Sequence, residues 1–293
     1  MRERSERTIG MRFLILDVFT DRPLTGNQLA VFPDGPSVPE AIRQDLAREV
    51  GFSETVYVDP PSHPVAGDAR ARIFTPATEL PFAGHPVLGT AVALGRERSL
   101  PPGSVVTLEC GVGPVPVELD GTATGGWMVQ PLPEISSVAN AAKVLTALGL
   151  DAGDVVTPLD RYVNGPEHLV VAVADGDRVA ALTPDFGALV RAAGAAGVST
   201  CAVTGPGAVV TRCFVPGLGV NEDPATGSAA GPVGVHLLRH GLVDPGIELT
   251  IEQGAAIHRP SVLRVRVAGT ADAIESVAVG GSAVIVGEGR FDL

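Results

Sequence analysis

Cysteine and aromatic side chains are scarce in this chain, and long apolar runs are absent. Three cysteines among 293 residues (Cys110, Cys201 and Cys213), with no CxxC spacing, argue against a disulfide framework. They read as reduced thiols, which predicts a cytoplasmic protein. Aromatic residues amount to 4 %, which weighs against an aromatic-caged ligand. No apolar stretch approaches the ~20 residues that span a bilayer. Met1–Gly10 is charged and lacks an apolar signal core, so residues 1–10 are expected as a disordered leader. Basic side chains are also few: 21 Lys and Arg stand against 33 Asp and Glu, for a net charge of −12 and a pI near 4.9. That balance excludes a nucleic-acid surface and docking on anionic membranes.

What is present suits a packed core. Apolar residues make up 45 % and charged residues 18 % of the chain. The 36 glycines and 25 prolines, about a fifth of all residues, imply many turns and short strands. Strand patterns cover 12–20, 28–33, 54–59, 69–76, 104–110 and 113–119, then 155–163, 167–174, 200–204, 208–215, 247–253, 261–268 and 276–287. Helices are expected at 38–50, with Ile42, Leu46 and Val50 on one stripe, and at 86–96, 184–196 and 229–240, with 138–149 a fifth. Strands and helices mix without strict alternation, so a doubly wound parallel sheet is disfavoured.

An internal echo organises the chain. Glu79-Leu-Pro-Phe-Ala-Gly-His85 and Glu222-Asp-Pro-Ala-Thr-Gly-Ser228 share E-x-P-x-x-G at an offset of 143 residues. That offset also carries helix 38–50 onto 184–196 and strand 69–76 onto 208–215, within a few residues. Upstream, Gly26–Phe32 resembles Gly165–Val171. The order predicts two similar halves, 11–125 and 126–279, with 280–293 returning to the first.

Each E-x-P-x-x-G loop leads into a helix. Pro86 is expected at the first helical position, and Gly95 and Gly241 at the two helix ends. Gly84 and Gly227 permit close backbone approach. The loops therefore aim unpaired N–H groups and a positive dipole end outward, a site for a carboxylate. Polar groups that are not duplicated are the better candidates for chemistry. The first loop ends in His85; the second carries Asp223 and Ser228. Glu54 follows Ser53 where a helix hands over to a strand, and its counterpart at the same offset is Gly197. Two carboxylates, a histidine and a serine around an anion site fit proton transfer at carbon, with one carboxylate as base and His or Asp donating or relaying. Asp223 equally suits a helix cap, and Ser228 a small packing or N-cap residue.

Other chemistries fit less well. His236 and His240 are four apart on one helix, but Leu237 follows the first and no third ligand is near in sequence, so no metal is expected. His63, His168 and His258 are scattered. Gly227-Ser228-Ala-Ala-Gly231 is not a nucleophile elbow. Gly111-Val-Gly113 lacks the third glycine of a dinucleotide loop, so no cofactor is expected.

These residues resemble the PhzF family. The matching stretches are Asp17-Val-Phe-Thr with Gly26-Asn27, Ser53-Glu-Thr55, Arg72-Ile-Phe-Thr-Pro76, Glu79–Pro86, Glu222–Ser228, and Glu252-Gln-Gly254 with Arg259-Pro-Ser261. The resemblance runs from about residue 12 to the C-terminus. It implies an α+β, diaminopimelate-epimerase-like fold of two half-domains, each a β-barrel-like sheet around a central helix, with the site between them. It also implies cofactor-independent proton movement on a small carboxylate-bearing metabolite, of the trans-2,3-dihydro-3-hydroxyanthranilate isomerase type, and a homodimer. By the motifs, Glu54 matches the catalytic glutamate, and His85 and Asp223 the supporting acid/base positions. Ser53, Gly84, Gly227 and Ser228 match substrate-contacting positions. Gln28 replaces the usual proline, and His258 the usual glycine, where it is expected to alter the pocket rim. The cysteine-paired racemases of the related fold are excluded, because neither loop carries a thiol. A second reading is a non-enzymatic small-molecule or partner-binding protein on the same fold, which would bind ligand without hydrogen exchange at carbon.

Overall fold

The computed structural model describes residues 10–63 and 65–293. The expected leader lies outside them except for Gly10, which already opens the first strand. β1 (Gly10–Val18) pairs antiparallel with β2 (Asn27–Phe32). Helix α1 (Arg43–Val50) carries the chain to β3 (Glu54–Asp59), parallel to β2. β4 (Ala69–Phe74) returns antiparallel to β3, and β5 (Glu79–Leu80) folds back on it. Helix α2 (Gly84–Glu97) crosses to β6 (Val105–Cys110), parallel to β4. β7 (Gly113–Leu119) and β8 (Gly125–Gln130) complete a meander.

After β9 (Glu134–Ser137) and α3 (Ala141–Leu148), the same pairing order recurs. β10 (Asp160–Val163) pairs antiparallel with β11 (Glu167–Ala172). Helices α4 (Gly176–Ala180) and α5 (Phe186–Ala193) cross to β12 (Gly197–Gly205), parallel to β11. β13 (Ala208–Val215) and β14 (Val220–Asp223) follow antiparallel. Helix α6 (Gly227–Arg239) crosses to β15 (Leu249–Gln253), parallel to β13. β16 (Ser261–Gly269) and β17 (Ile274–Asp292) close the series.

The class is α+β, with all strands joined and helices wrapped among them. Long strands tie the two sets together. β17 pairs with β16 and β8 over its first part, and its residues 283–292 pair with β1. β9 pairs with β10. The expected division at 125/126 therefore falls at the start of β8, whose edges bond to β7 and β17.

The two crossing helices are the centre of the core. Every residue from Gly84 to Gly95 in α2 and from Gly227 to Leu238 in α6 is buried. A helix apolar on all faces belongs inside, and α2 packs against strands β1, β2, β6, β7, β8 and β17. Each fully buried Val or Leu there, such as Val87 or Leu88, contributes about 1.5–3 kcal/mol of burial.

Several local expectations are corrected. α2 and α6 each begin two residues earlier than expected, so Pro86 is the third helical residue; that N–H lacks a helical partner anyway. Gly95 does not end α2 but lies inside it, where a Cβ would sit 2.7 Å from Leu119 Cδ1. Gly241, with φ +68, does follow α6. Helix 38–50 begins only at Arg43, because Pro39 is extended and holds Val38 out of the helical region. Of the expected stripe, Leu46 is buried, whereas Ile42 and Val50 are half-buried. Strand 155–163 shrinks to β10 behind Pro158. β8 had no strand signal because it starts Gly125-Gly126. Glycine is needed there: a Cβ at either residue would lie 2.5 Å from a neighbouring strand's carbonyl oxygen, Gly281 or Glu118.

Candidate active site

The starts of α2 and α6 meet head to head. A Cβ on Gly84 would lie 2.5 Å from the Gly227 carbonyl carbon and 2.6 Å from Ser228 N. Only glycine allows this approach. The first two amides of each helix, at Gly84, His85, Gly227 and Ser228, have no intrahelical acceptor. Two positive dipole ends thus converge, a field that favours an anion. Pro232 lies inside α6 and cannot donate to the Ser228 carbonyl four residues back; Asn164 Nδ2 donates to it instead, at 2.9 Å.

Asp223 ends β14 beside this junction and is buried. Its Oδ1 accepts from Asn27 Nδ2 at 2.9 Å and Ser53 Oγ at 3.1 Å, and its Oδ2 from Thr226 Oγ1 at 2.6 Å. Gln253 Nε2 donates to the Asp223 and Thr226 oxygens behind it. Glu54 stands at the first position of β3, after the left-handed Gly51 ends α1. Its side chain retains 14 % exposure, and its Oε2 is buried without a hydrogen-bond partner. The nearest basic atom is His85 Nε2 at 3.4 Å, which is itself buried and unpartnered. His85 Nδ1 lies 3.2 Å from Asn27 Nδ2.

Burial sets the protonation states. Desolvation, and then the charge of Asp223, holds the Glu54 carboxyl well above its ordinary range. Desolvation also raises Asp223, but hydrogen bonds from Thr226, Asn27 and Ser53 oppose it. Both carboxyls are thus raised, while three hydrogen-bond donors favour the ionised form of Asp223 and none does so for Glu54 Oε2. Burial pushes the His85 imidazole down to about 3. Burial thus favours the neutral imidazole of His85 near pH 7.

The cavity at the junction encloses about 50 Å³. Ser53, Glu54, Asp223 and Ser228 line it, as do Thr226, Leu80 and Ala83. Gly84, Gly227 and His85 do not; they join it through the helix starts and through Glu54. Larger surface hollows, such as the one around Arg96 and Ile285, contain none of these groups.

His168 also lines the cavity and is the residue sequence reasoning missed. It lies on β11, buried, with Nε2 3.1 Å from Ser228 Oγ and Nδ1 unpartnered, and burial lowers it to about 4. The repeat held the signal. Leu29 pairs with Glu54 in one half, and His168 pairs with Gly197 in the other. Each half thus places one polar group at this register, on opposite strands of the pair. Gly197 makes the room: a Cβ there would lie 2.9 Å from His168 Nδ1.

Other expectations resolve as follows. His258 is exposed and is not among the cavity-lining residues, so it does not shape the rim. His236 and His240 do have a carboxylate near them, Asp160 of β10, brought in by the fold rather than by sequence proximity. Glu79 and Glu222, the duplicated acids, are ion-paired to Arg72 and Arg212 on the adjoining strands. Their repetition reflects architecture.

The geometry gathers two helix starts, two carboxyls and two buried imidazoles around one small cavity. Residues 16–289 match the PhzC-PhzF family model, described as phenazine biosynthesis-like protein. The chain is 40 % identical over 284 residues to trans-2,3-dihydro-3-hydroxyanthranilate isomerase from Pseudomonas fluorescens, covering 96 % of this chain and 99 % of that one. It superposes on a Bacillus anthracis PhzF-family phenazine biosynthesis protein with a TM-score of 0.83 at 26 % identity, covering 97 % and 99 % of the two chains. A hydroxyproline epimerase from Agrobacterium vitis shares the fold with a TM-score of 0.65 at 17 % identity, covering 97 % and 92 %. The chain belongs to the PhzF family and is an isomerase.

Proposed function

We propose that the enzyme moves a proton on a small carboxylate-bearing metabolite without a cofactor, with trans-2,3-dihydro-3-hydroxyanthranilate, the compound named for its relatives, as the first substrate to test. The observation that carries this reading is the buried, unpartnered Glu54 Oε2 beside an anion cradle. The substrate carboxylate caps the amides of Gly84, His85, Gly227 and Ser228. Glu54, as carboxylate, takes a proton from one carbon; the electron pair shifts through the adjacent double bond; Glu54 returns the proton to another carbon. Its elevated basicity strengthens the first step, and no net proton is consumed. Asp223 holds the local charge, and His85 stands beside Glu54 as a neutral imidazole. A cavity of about 50 Å³ admits water but not a ring-sized metabolite. The strand sets 11–125 and 126–279, with 280–293 returning to the first, therefore act as two half-domains that part to admit substrate.

The test is deuterium wash-in from heavy water, followed by NMR, with dihydrohydroxyanthranilate and a panel of cyclic and unsaturated amino acids. Glu54→Gln is run in parallel. Deuterium entering one compound with the unaltered protein only, with a loss of about 100-fold or more in the variant, supports the assignment. Full turnover by Glu54→Gln sinks it.

A further inference from the structure

From 8 to 12 residues beyond Ser228, about 12–18 Å along the α6 axis, lies a second polar cluster. His236 and His240 occupy one face of the last turn, and Asp160 projects from β10 against them. One ligand atom from each lies within 4.8 Å of the other two. Asp160 Oδ2 is 2.8 Å from His240 Nε2 and 3.7 Å from His236 Nδ1. Neighbouring ligands of a tetrahedral zinc ion are about 3.4 Å apart, so adjustments of about 1.5 Å or less reach that geometry.

Three further features suit a cation. The far nitrogen of His236, Nε2, is 2.8 Å from Thr157 Oγ1. In the tautomer that donates this N–H to Thr157, Nδ1 carries a lone pair beside Tyr162 Oη and Asp160, as a supporting hydrogen bond leaves it on a metal-bound histidine. The cluster sits at the carboxyl end of α6, where the helix dipole is negative. Tyr162 Oη lies beside the cluster, 3.0 Å from His236 Nδ1 and 3.4 Å from Asp160 Oδ2, and it or a water would supply a fourth ligand. The competing group is Arg239, whose Nη1 is 3.4 Å from Asp160 Oδ2; its side chain is 32 % exposed and can turn to solvent.

We infer that Asp160, His236 and His240 form a binding site for a zinc-class divalent ion that pins the end of α6 to β10. Two imidazoles and one carboxylate select zinc, cobalt or nickel over magnesium or calcium. The ion has a structural place, remote from the cavity.

The experiment uses the full chain stripped with a chelator and titrated with zinc chloride by calorimetry. One ion per chain is expected, with a rise in melting temperature. His240→Ala, at a partly exposed position, and Asp160→Asn are each expected to weaken binding tenfold or more, and Thr157→Val about tenfold. Circular dichroism confirms that each variant is folded; if Asp160→Asn does not fold, His240→Ala decides alone. Cobalt bound to the unaltered protein should show the intense visible bands of a four-coordinate site, absent in His240→Ala. No saturable binding would make the cluster a hydrogen-bonded network only. Binding undiminished in His240→Ala would place the ion elsewhere, and either result overturns the site.

Discussion

Glu54 Oε2 and His85 Nε2 face each other at 3.4 Å, each buried and each without another partner. Burial disfavours the charged form of both groups. Desolvation and Asp223 keep the proton on Glu54, while burial holds His85 at about 3. The base must lose that proton before it can act. The kcat/KM profile should therefore rise with pH through a value well above the ordinary glutamate range, and no limb should belong to a histidine near 6.5. His85→Gln should lower turnover yet keep an elevated acid limb. A limb at or below 4.5, measured across a panel of buffers, would show that Glu54 is not the titrating base.

Protonation also sets stability, and the signs differ. Glu54 has a raised value in the fold, so the folded state keeps a proton that the unfolded chain releases above about 4.5. Lowering pH within that window stabilises the fold. His85, His168 and His236 are lowered to about 3, 4 and 4. Their contribution is complete above about 6.5 and is lost as pH falls toward those values, at about 1.4 kcal/mol per pH unit for each proton taken up on unfolding. Urea titrations at pH 7, 6 and 5 should show Glu54→Gln more stable than the unaltered protein at pH 7, by about 0.5–2 kcal/mol. That advantage should shrink toward pH 5, and the variant should lose stability more steeply. An advantage that is constant with pH would mean Glu54 is not raised.

Much of the site was legible because the chain repeats itself. The echo distinguished duplicated acids from unduplicated ones, and the structure gives each group its reason: Glu79 and Glu222 bind arginines, whereas Glu54 and Asp223 face the cavity. The same comparison, applied to the strand before Gly197, would have found His168. It was passed over because it reads as one apolar-flanked histidine in a buried strand. Asp160 was not legible near His236, since 76 residues and a sheet crossing separate them. Helix starts were misplaced because Gly84 and Gly227 carry no helix propensity. They begin helices for a tertiary reason, the meeting of two backbones.

That meeting makes Gly84 intolerant of any side chain. A methyl group would fall 2.5–2.7 Å from backbone atoms of Gly227 and Ser228, with no flexible neighbour to yield. Gly84→Ala is expected to cost about 3 kcal/mol or more in chemical denaturation and to abolish exchange. Gly153→Ala, where nothing lies within 4 Å of the added methyl, should stay within about 0.5 kcal/mol. Equal effects of the two would mean that α2 and α6 do not abut in solution.

The duplicated ion pairs make a sharper comparison, because the same chemistry sits at two depths. Arg212 and Glu222 form two bonds, at 2.9 and 2.7 Å, with side chains only 12 % and 6 % exposed. Without Glu222, Arg212 keeps the carbonyls of Leu182 and Ala180 as acceptors and no carboxylate. Arg72 holds Glu79, which is 42 % exposed, and also Glu40. Removing Glu79 therefore leaves Arg72 paired. Glu222→Gln should cost about 3 kcal/mol in urea denaturation, as expected when one member of a buried pair is lost. Glu79→Gln should cost less than about 1 kcal/mol. Because the Glu222 charge also raises Asp223, its removal should move Asp223 down, while the acid limb stays with Glu54. Equal costs for the two substitutions would show that depth, rather than repetition, had been misjudged as the property that separates the halves.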